Sequence, residues 1–336
     1  MISSTRLATI AILVFLVACS SVPSRQSEAS AADDAFVKRE FNPTIDGKWI
    51  GNGISYGAYR DGEGPGKGLT SKQNILEDLQ IISSRWNLIR LYGADQQSQN
   101  ILEVIADNDL PIRVMQGIWL DAHKTEDENS AQVERAIELA KRFPEIVVAV
   151  NVGNEIFVDW SWHRLDDMDK VIGQIRQVRA SIGQPVTVSD DYNFWNKPQA
   201  QKIADEIDFI CLHAYAFWNN KTLDVAMDWT DSTYRDIQSR HPQHRIAYCE
   251  TGWPTSRVYG DGSYEGGLIG KAGENEQEVF FDQYDPWVER NQVTSFYFSS
   301  FDENWKGGLD GANPMAKAEK HWGLYKADRS PKKAMR

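Results

Sequence analysis

The chain has 336 residues and a formal net charge of −12, from 36 Lys and Arg against 48 Asp and Glu. That length is sufficient for one large domain or two small ones. Its 41% hydrophobic and 25% charged residues are typical of a globular protein and exclude wholesale disorder. An acidic surface repels phosphate backbones, so nucleic acid is not expected as a partner. The 12 tryptophans are an excess that either a Trp-rich core or a binding surface would explain.

The N-terminus has the pattern of an export signal. Arg6 gives a short positive start, and an apolar run as short as residues 7–18 is typical of a signal peptide, not of a membrane span. Leu16-Val17-Ala18-Cys19 resembles the lipobox of bacterial lipoproteins, in which the cysteine becomes the lipid-modified first residue. We therefore expect a signal peptide at 1–18, a lipid anchor at Cys19 and a flexible tether over 19–45. No Asp follows the cysteine, which by this resemblance favours the outer membrane of a Gram-negative bacterium, on its periplasmic or cell-surface side. An ordinary cleaved signal is the alternative.

Short apolar segments alternate with amphipathic ones over the rest of the chain. Eight segments rich in Ile and Val are predicted to be strands: Trp49–Tyr56, Leu88–Tyr92, Pro111–Ile118, Ile146–Val152, Pro185–Ser189, Asp208–His213, Arg245–Cys249 and Val293–Ser299. Seven helical patterns separate them, and the tail after Ser300 is expected to supply the last helix. Eight strand–helix units over about 290 residues predict a single (β/α)8 TIM barrel at 46–336.

A doubly wound open sheet is the structural alternative to the barrel. Such a sheet usually has a glycine-rich phosphate turn after its first strand. Gly51-Asn52-Gly53 lies inside the first predicted strand, and Gly62-Glu63-Gly64-Pro65-Gly66 does not open a helix in the required way. The barrel is therefore the preferred fold.

Two glutamates lie where a barrel of this kind carries its active groups, at the C-terminal ends of strands. Glu155 follows the fourth predicted strand and Glu250 the seventh. Cleavage of a glycosidic bond requires two facing carboxylates, one to give a proton and one to attack the anomeric carbon or to activate water. The alternative is that each glutamate only forms a surface ion pair. That would be a good explanation of one glutamate at a strand end, but it explains two at these positions less well. The pattern indicates a glycoside hydrolase.

The sequence around both glutamates resembles a known family. Val152-Gly153-Asn154-Glu155 and Glu250-Thr251-Gly252-Trp253-Pro254 closely resemble the two signatures of glycoside hydrolase family 17. The resemblance covers about residues 49–326 and includes Ile89-Arg90-Leu91-Tyr92, Phe301-Asp302-Glu303-Asn304-Trp305-Lys306 and His321-Trp322-Gly323-Leu324-Tyr325. It implies retaining cleavage of a laminarin-like β-1,3-glucan, with Glu155 as acid/base and Glu250 as nucleophile. Retention would place the two carboxyl groups about 5–5.5 Å apart and requires a raised pKa at Glu155.

The same resemblance implies roles for the neighbouring residues. Asn154 would bind the sugar 2-hydroxyl and Tyr215 would donate to the nucleophile, with a helix cap and a core aromatic as the simpler alternatives. The residues expected to contact the glucan are Arg90, Tyr92, Trp253, Glu303, Trp305 and Lys306. Asp190 and Asp191 are either hydroxyl acceptors or solvated loop charges, and His213 is expected to be structural. No cofactor is expected, and no metal, because the sequence has no His-x-His, Cys-x-x-Cys or EF-hand loop.

Strand alternation leads to a prediction for the two remaining cysteines. Cys211 lies an even number of residues before Tyr215 and should face the barrel axis with it, whereas Cys249 is adjacent to Glu250 and should face outward. Side chains on opposite faces of a sheet cannot form a disulfide. The sequence therefore predicts two buried free thiols.

Two other functions stay open. Transglycosylation would follow if acceptor subsites hold sugar better than water, and a non-catalytic glucan-binding lipoprotein is the remote alternative. A monomer is expected, and the glycine-rich segment Val258–Asn275 is an insertion that would decide between endo and exo action. The tryptophans expected to line a groove across the two glutamates are Trp119, Trp160, Trp162, Trp195, Trp218, Trp253 and Trp305.

Overall fold

A computed structural model describes residues 1, 36–306 and 316–336 of the chain. Val37–Arg336 form one compact unit, and Met1–Phe36, of which only the two end residues are described, form the other. The predicted signal peptide, Cys19 and most of the predicted tether lie outside the described residues. Within the described part, no helix is both long and apolar enough to cross a membrane.

The predicted (β/α)8 barrel is confirmed. Eight parallel strands close into a barrel in chain order, with the last strand paired to the first. Each overlaps its predicted segment: β1 Asn52–Ser55, β2 Leu88–Arg90, β3 Arg113–Ile118, β4 Val147–Asn154, β5 Val186–Asp191, β6 Ile210–His213, β7 Ile246–Thr251 and β8 Ser295–Tyr297. All eight carboxyl ends therefore meet at one mouth, where loops can bring distant residues together.

All of the described helices but the last lie between successive strands. Their bounds are α1 Lys72–Ser83, α2 Gln96–Asp107, α3 Glu126–Arg142, α4 Met168–Ser181, α5 Tyr192–Trp195, α6 Gln201–Ala204, α7 Leu223–Arg240, α8 Tyr264–Gly267, α9 Glu274–Asn291 and α10 Ala316–Glu319. In α3, Thr125 caps the N-terminus and exchanges hydrogen bonds with Glu128 as a capping box. The described part of the tail after β8 contains the four-residue α10, a short form of the last helix predicted there, and a 3-10 turn at Lys333–Met335.

The N-terminal end of the barrel is covered by residues that the sequence placed in the tether. Phe41 is buried and stacks on Phe209 with ring centroids 4.3 Å apart. Arg39 donates its backbone N–H to Asp208 Oδ1 at 2.7 Å, and a small hairpin, Thr44–Ile45 with Lys48–Trp49, follows. The tether prediction is therefore wrong for residues 37–45. One buried aromatic side chain in this polar stretch, Phe41, is enough to hold the segment against the barrel.

The prediction of two free thiols is also wrong. Cys211 and Cys249 form a disulfide, with their Cα atoms 5.3 Å apart. The register of β6 and β7 explains the error: Leu212 pairs with Tyr248 but His213 pairs with Glu250, so Cys249 is an extra residue in β7. Such a bulge breaks the alternation of side chains. It allows Cys249 to join the apolar layer inside the barrel although Glu250 also faces the mouth.

Candidate active site

The two glutamates meet at the mouth of the barrel. Glu155 directly follows β4 with a φ of +51°, an uncommon left-handed conformation for a residue other than glycine, and its backbone N–H donates to Ser189 O at 2.9 Å. Glu250 lies in β7, just after the bulge. A carboxylate oxygen of each glutamate and one His213 ring nitrogen all lie within 4.8 Å of one another. Oxygens this close favour the short spacing of a retaining pair over the roughly 6.5–9.5 Å by which an inverting enzyme separates its carboxyl groups to hold a water.

Glu250 is surrounded by hydrogen-bond donors. Arg90 donates from Nη1 to Glu250 Oε1 at 2.5 Å, and the Tyr92 hydroxyl donates to the same oxygen at 2.9 Å. Tyr215 donates its hydroxyl to Oε2 at 2.7 Å. Burial by itself would raise the pKa of Glu250, but the positive charge of Arg90 and the hydrogen bonds from Tyr215 and Arg90 outweigh it and hold that pKa well below its usual range. Glu250 is therefore ionised at neutral pH.

Glu155 has the opposite electrostatic environment. Burial, followed by the negative charge of Glu250 and that of Asp191, raises the pKa of Glu155 well above its usual range. No arginine or lysine contacts it directly among the described residues. The site thus holds one protonated and one ionised carboxyl group side by side, which is the arrangement expected of an acid and a nucleophile.

His213 links the two glutamates. Its Nδ1 lies 3.0 Å from Glu155 Oε1 and 3.6 Å from Glu250 Oε2, and the side chain is fully buried. Burial lowers the pKa of His213 to about 4, so the ring is neutral at neutral pH. Nε2 has no hydrogen-bond partner among the described residues, which assigns the proton to Nδ1. His213 therefore orients the acid, a role beyond the structural one expected from the sequence.

Arg90 and Asn154 are coupled beneath the mouth of the barrel. Arg90 has no exposed surface, so it cannot contact a substrate, in contrast to the expectation from the sequence. Its Nη2 donates to Asn154 Oδ1 at 2.5 Å, while Nη1 donates to Glu250. This contact fixes the amide orientation and leaves the Asn154 N–H groups without a partner among the described residues. Arg90 is a positioning residue.

Glu303, Trp305 and Lys306 form one cluster after β8. Trp305 Nε1 donates to Glu303 Oε1 at 3.1 Å, and Lys306 Nζ lies 2.7 Å from Glu303 Oε2. Trp305 is half-buried and meets the ring of Tyr59 edge-on at 5.5 Å. A Cβ on Gly57 would lie 2.1 Å from Glu303 Oε1, so only glycine fits beside this carboxylate. The three residues lie together at the mouth, on the β1 side of the barrel.

Three of the residues expected to contact the substrate are instead buried. Trp253 is fully buried and donates to Lys271 O at 2.8 Å, so it cannot stack on a sugar in this structure. Asp190 is also fully buried, and its carboxylate accepts from the backbone N–H groups of Phe157 and Asp191. Asp191 is 5% exposed and caps α5. Neither aspartate is a solvated loop charge.

Sequence reasoning missed Glu319 in α10. The side chain is half-buried, and burial raises its pKa to about 7, with further contributions from Glu250 and Glu303 against the attraction of Lys306. With Asp191, it is therefore a further carboxyl group within electrostatic reach of the catalytic pair. The tail carries no periodic pattern or motif at this position that would have indicated it.

The catalytic cluster is also the one group of described residues with the spacing of a metal site. Glu155, His213 and Glu250 each offer one ligand atom there. The Arg90 guanidinium at 2.5 Å from Glu250 opposes a second cation at the same carboxylate, however. The cluster fits carbohydrate chemistry better than metal binding.

Comparison with known proteins agrees with this fold. Residues 53–323 match the family model of the BtgE/BtgC glycoside hydrolase domain. The chain is 28% identical over 264 residues to a glucan 1,3-beta-glucosidase of Arthroderma benhamiae, with 76% of this chain and 82% of that protein covered. The Aspergillus proteins named as glucan endo-1,3-beta-glucosidase btgC are longer, and the chain spans about two fifths of their length.

Solved structures share the barrel. An endo-laminarinase from Formosa Hel1_33_131 superposes with a TM-score of 0.72 at 23% identity, over 85% of this chain and 86% of that one. An active-site mutant of a Rhizomucor miehei beta-1,3-glucanosyltransferase in complex with laminaritriose superposes with a TM-score of 0.66 at 20% identity, over 85% and 96% of the two chains. At these identities the likeness concerns the fold.

Proposed function

The chain belongs to the BtgE/BtgC glycoside hydrolase family, and on that basis we propose that it cleaves laminarin-like β-1,3-glucan by a retaining double displacement of the family 17 type. The observation that carries the proposal is the close pair of glutamates with opposite protonation states. The β-1,3 linkage is supported by the names of the Arthroderma relative and of the Formosa endo-laminarinase.

In the first step, the protonated Glu155 gives its proton to the glycosidic oxygen while Glu250 attacks the anomeric carbon. The bond to the departing sugar breaks and an ester to Glu250 forms. Arg90, Tyr92 and Tyr215 keep Glu250 ionised and aimed before the attack. Preorganised donors of this kind need no rearrangement as the charge shifts from the carboxylate to the leaving group.

In the second step, Glu155 acts as a base. Its carboxylate takes a proton from water, the water oxygen bonds to the anomeric carbon, and the ester bond to Glu250 breaks with its electron pair returning to the carboxylate. His213 Nδ1–H, 3.0 Å from Glu155 Oε1, stabilises that carboxylate between the steps. The free N–H groups of Asn154 are suited to the sugar 2-hydroxyl, a contact that strengthens in the transition state.

Product analysis tests the proposal. Laminarin, a β-1,4-glucan and a mixed-linkage glucan are each incubated with the wild-type protein and with Glu250→Gln. We expect release of sugar from laminarin by the wild type and none by the variant, because an amide cannot act as the nucleophile. Equal activity of Glu250→Gln, or cleavage confined to the β-1,4-glucan, would contradict the proposal. If neither the wild type nor the variant released sugar from any of the three glucans, only the role of a glucan-binding protein would remain.

Transglycosylation is the second candidate function. The fold is shared with a beta-1,3-glucanosyltransferase, and exposed aromatic rings lie beside Glu155. In this reaction a sugar hydroxyl replaces water in the second step. Products longer than a defined laminari-oligosaccharide substrate would support transfer, and products that are only shorter would support hydrolysis.

We also propose that the protein is a monomeric lipoprotein, anchored through Cys19 to the outer membrane of a Gram-negative bacterium on its periplasmic or cell-surface side. The support is the lipobox-like Leu16-Val17-Ala18-Cys19 after a short apolar run. Expression of the full chain and of Cys19→Ser tests it. The wild type should partition with outer-membrane fractions and the variant should not. Equal partitioning of the two would exclude the anchor.

A further inference from the structure

The disulfide between Cys211 and Cys249 lies directly beneath the catalytic groups. Cys211 is two residues before His213 in β6, and Cys249 is adjacent to Glu250 in β7. Both cysteines are fully buried inside the barrel, in a layer that they share with Phe209 and other apolar side chains. The bond therefore joins the strand that carries the nucleophile to the strand that carries the histidine in contact with the acid.

The pairing of these two strands decides the direction of Glu250. The pairing is regular up to Tyr248, whose ring packs on Trp287 of α9, outside the barrel. Since side chains alternate along a strand, a regular continuation would place Cys249 opposite His213 and would turn Glu250 outward, to the side of the helices. In the structure His213 pairs with Glu250 instead. The bulge at Cys249 is therefore what directs the Glu250 carboxylate to the mouth.

The disulfide is compatible with the bulge and not with a regular ladder. Cys211 pairs with Ala247, so Cys249 is two positions further along the neighbouring strand. In a regular pair, with strands about 4.8 Å apart and a rise of about 3.3 Å per residue, the Cα atoms of two such residues lie about 8 Å apart. A disulfide usually spans at most about 6.8 Å between its Cα atoms. The observed distance is 5.3 Å, so a chain that contains the bond also contains the bulge.

Arg90 and the disulfide hold the bulge from two sides. Arg90 Nη1 donates to Cys249 O at 3.3 Å and to Glu250 Oε1 at 2.5 Å. The shorter of these contacts cannot form in a regular ladder, because Glu250 would then point away from the guanidinium. A bulged residue has no partner of its own in the ladder, and the disulfide is the covalent restraint on this one.

We propose that the Cys211–Cys249 disulfide positions the nucleophile: it keeps the bulge in β7, and through the bulge it keeps Glu250 directed at the substrate. The inference rests on the function proposed above. The bond forms when each of the two thiols loses a hydrogen to an external disulfide, which is reduced to two thiols. In the reduced enzyme no covalent bond opposes the regular ladder, and Glu250 loses its alignment with Glu155. The reduced enzyme is therefore expected to be folded but nearly inactive.

The first-turnover release of nitrophenol from nitrophenyl β-laminaribioside tests the proposal, because this leaving group needs no proton and its release reports the attack of Glu250. The Cys19→Ser chain is compared with the same chain carrying Cys211→Ala and Cys249→Ala, at a temperature where circular dichroism shows both folded. The maximal rate should fall about 100-fold, the effect of a reacting group displaced by about 1 Å. The substrate concentration that gives half the maximal rate should be nearly unchanged.

Reduction provides the same comparison without a substitution at either cysteine. The Cys19→Ser chain is unfolded in urea with a reductant and refolded with the reductant present. It should show the slow rate of the double variant. Oxidised glutathione should then restore the fast rate, as the Cys211 and Cys249 thiols form their disulfide and two glutathione thiols are released.

Ile105→Ala is the matched control for lost stability. Ile105 is 1% exposed near the C-terminal end of α2, at the end of the barrel opposite to the mouth. Its truncation leaves a cavity that weakens the fold, but it does not reach β7, so the first-turnover rate should stay at the wild-type value. If the double alanine variant does not fold, Cys211→Val with Cys249→Ala keeps the apolar volume of the pair and takes its place.

The proposal is overturned if the folded, disulfide-free chain releases nitrophenol at the wild-type rate, because the bond would then only stabilise the barrel. It is also overturned if Ile105→Ala loses as much rate, or if every disulfide-free form fails to fold, since the bond would then serve the fold as a whole. No release by the oxidised Cys19→Ser chain, or undiminished release by Glu250→Gln, is a different result, which would remove the proposed function itself.

Discussion

The neighbours of each glutamate decide its part in the reaction. Glu250 has one guanidinium and two hydroxyl donors, while Glu155 has a neutral histidine and two nearby carboxylates. Both side chains are the same chemical group, so the difference in their protonation comes entirely from what the barrel places around them.

Glu155→Gln tests the assignment of the acid. The variant cannot protonate a leaving group, so we expect a loss of about 10²–10⁴-fold in kcat/KM on laminarin-type oligosaccharides. The nitrophenolate group of a nitrophenyl glycoside leaves without being protonated. For that substrate the first step in the variant should be nearly as fast as in the wild type. Pre-steady-state release of nitrophenol measures it. An equal loss on both substrates would mean that Glu155 is not the acid.

Arg90→Met tests how Glu250 is kept ionised. Removal of the guanidinium should raise the pKa of Glu250, so the acidic limb of the pH profile of kcat/KM should move up by about one pH unit. Arg90→Lys, which keeps a positive charge, should move it less. Arg85→Met, at a surface pair with Asp285, is the control and should leave the limb in place. An unmoved limb in Arg90→Met would show that the hydroxyl donors suffice.

At the residue scale, the sequence predicted the reacting groups better than their surroundings. Glu155 and Glu250 follow from motifs at the ends of two strands, and the Tyr215 contact was expected from the family resemblance. The burial of Trp253 and Asp190 depends on how loops from distant parts of the chain pack over them. No local pattern records that packing.

The bulge in β7 is the element that most changes the interpretation of the sequence. Alternation predicted opposite faces for Cys249 and Glu250, and one inserted residue in the ladder turned both inward. A bulge leaves no composition signal, and so the disulfide with Cys211 was not foreseen. The repeating strand–helix pattern, by contrast, is a property of the whole chain, and it predicted the barrel correctly.

Removal of the disulfide should destabilise the barrel. In the protein that keeps the bond, Cys211 and Cys249 should not be detected as free thiols. The bond joins residues separated by 38 positions, and a closed loop of that size typically contributes about 2–4 kcal/mol. In a Cys19→Ser background, Cys211→Ala with Cys249→Ala should lower the free energy of unfolding in urea by that amount. Thiol titration of the unfolded, unreduced background protein should find no free thiol. Two free thiols would show that the bond does not form.

At the scale of the whole molecule, the tryptophan excess has two explanations instead of one. Four rings are fully buried in the core: Trp86, Trp195, Trp253 and Trp322. Trp160 and Trp162 are the exposed ones among the described residues, and both lie at the mouth beside Glu155. The composition shows that tryptophan is in excess, but only the fold shows which tryptophans belong to the core and which to the rim of the mouth.

Acid should destabilise the fold partly through His244, which lies far from the mouth. The ring is 7% exposed with Nε2 2.7 Å from Ala204 O, and burial, together with Lys38, lowers its pKa to about 4. Between about pH 6.5 and 4 the unfolded chain therefore binds a proton that the folded chain does not, so this contribution is lost as pH falls. His244→Asn should be less stable than the wild type at pH 7 and should lose less stability between pH 7 and 5, as measured by urea unfolding. Parallel losses in the two proteins would exclude His244 as the cause.

The most direct test of the central claim is the configuration of the first product. Proton NMR during the first minutes of laminari-oligosaccharide cleavage distinguishes the α and β forms of the new reducing end before they interconvert. Two carboxyl groups, one protonated and one ionised, with an oxygen of each within 4.8 Å of the other, predict retention. The β form should therefore appear first, and the α form should follow by mutarotation. If the α form appeared first, the reaction would be an inversion, and Glu250 would not be the nucleophile.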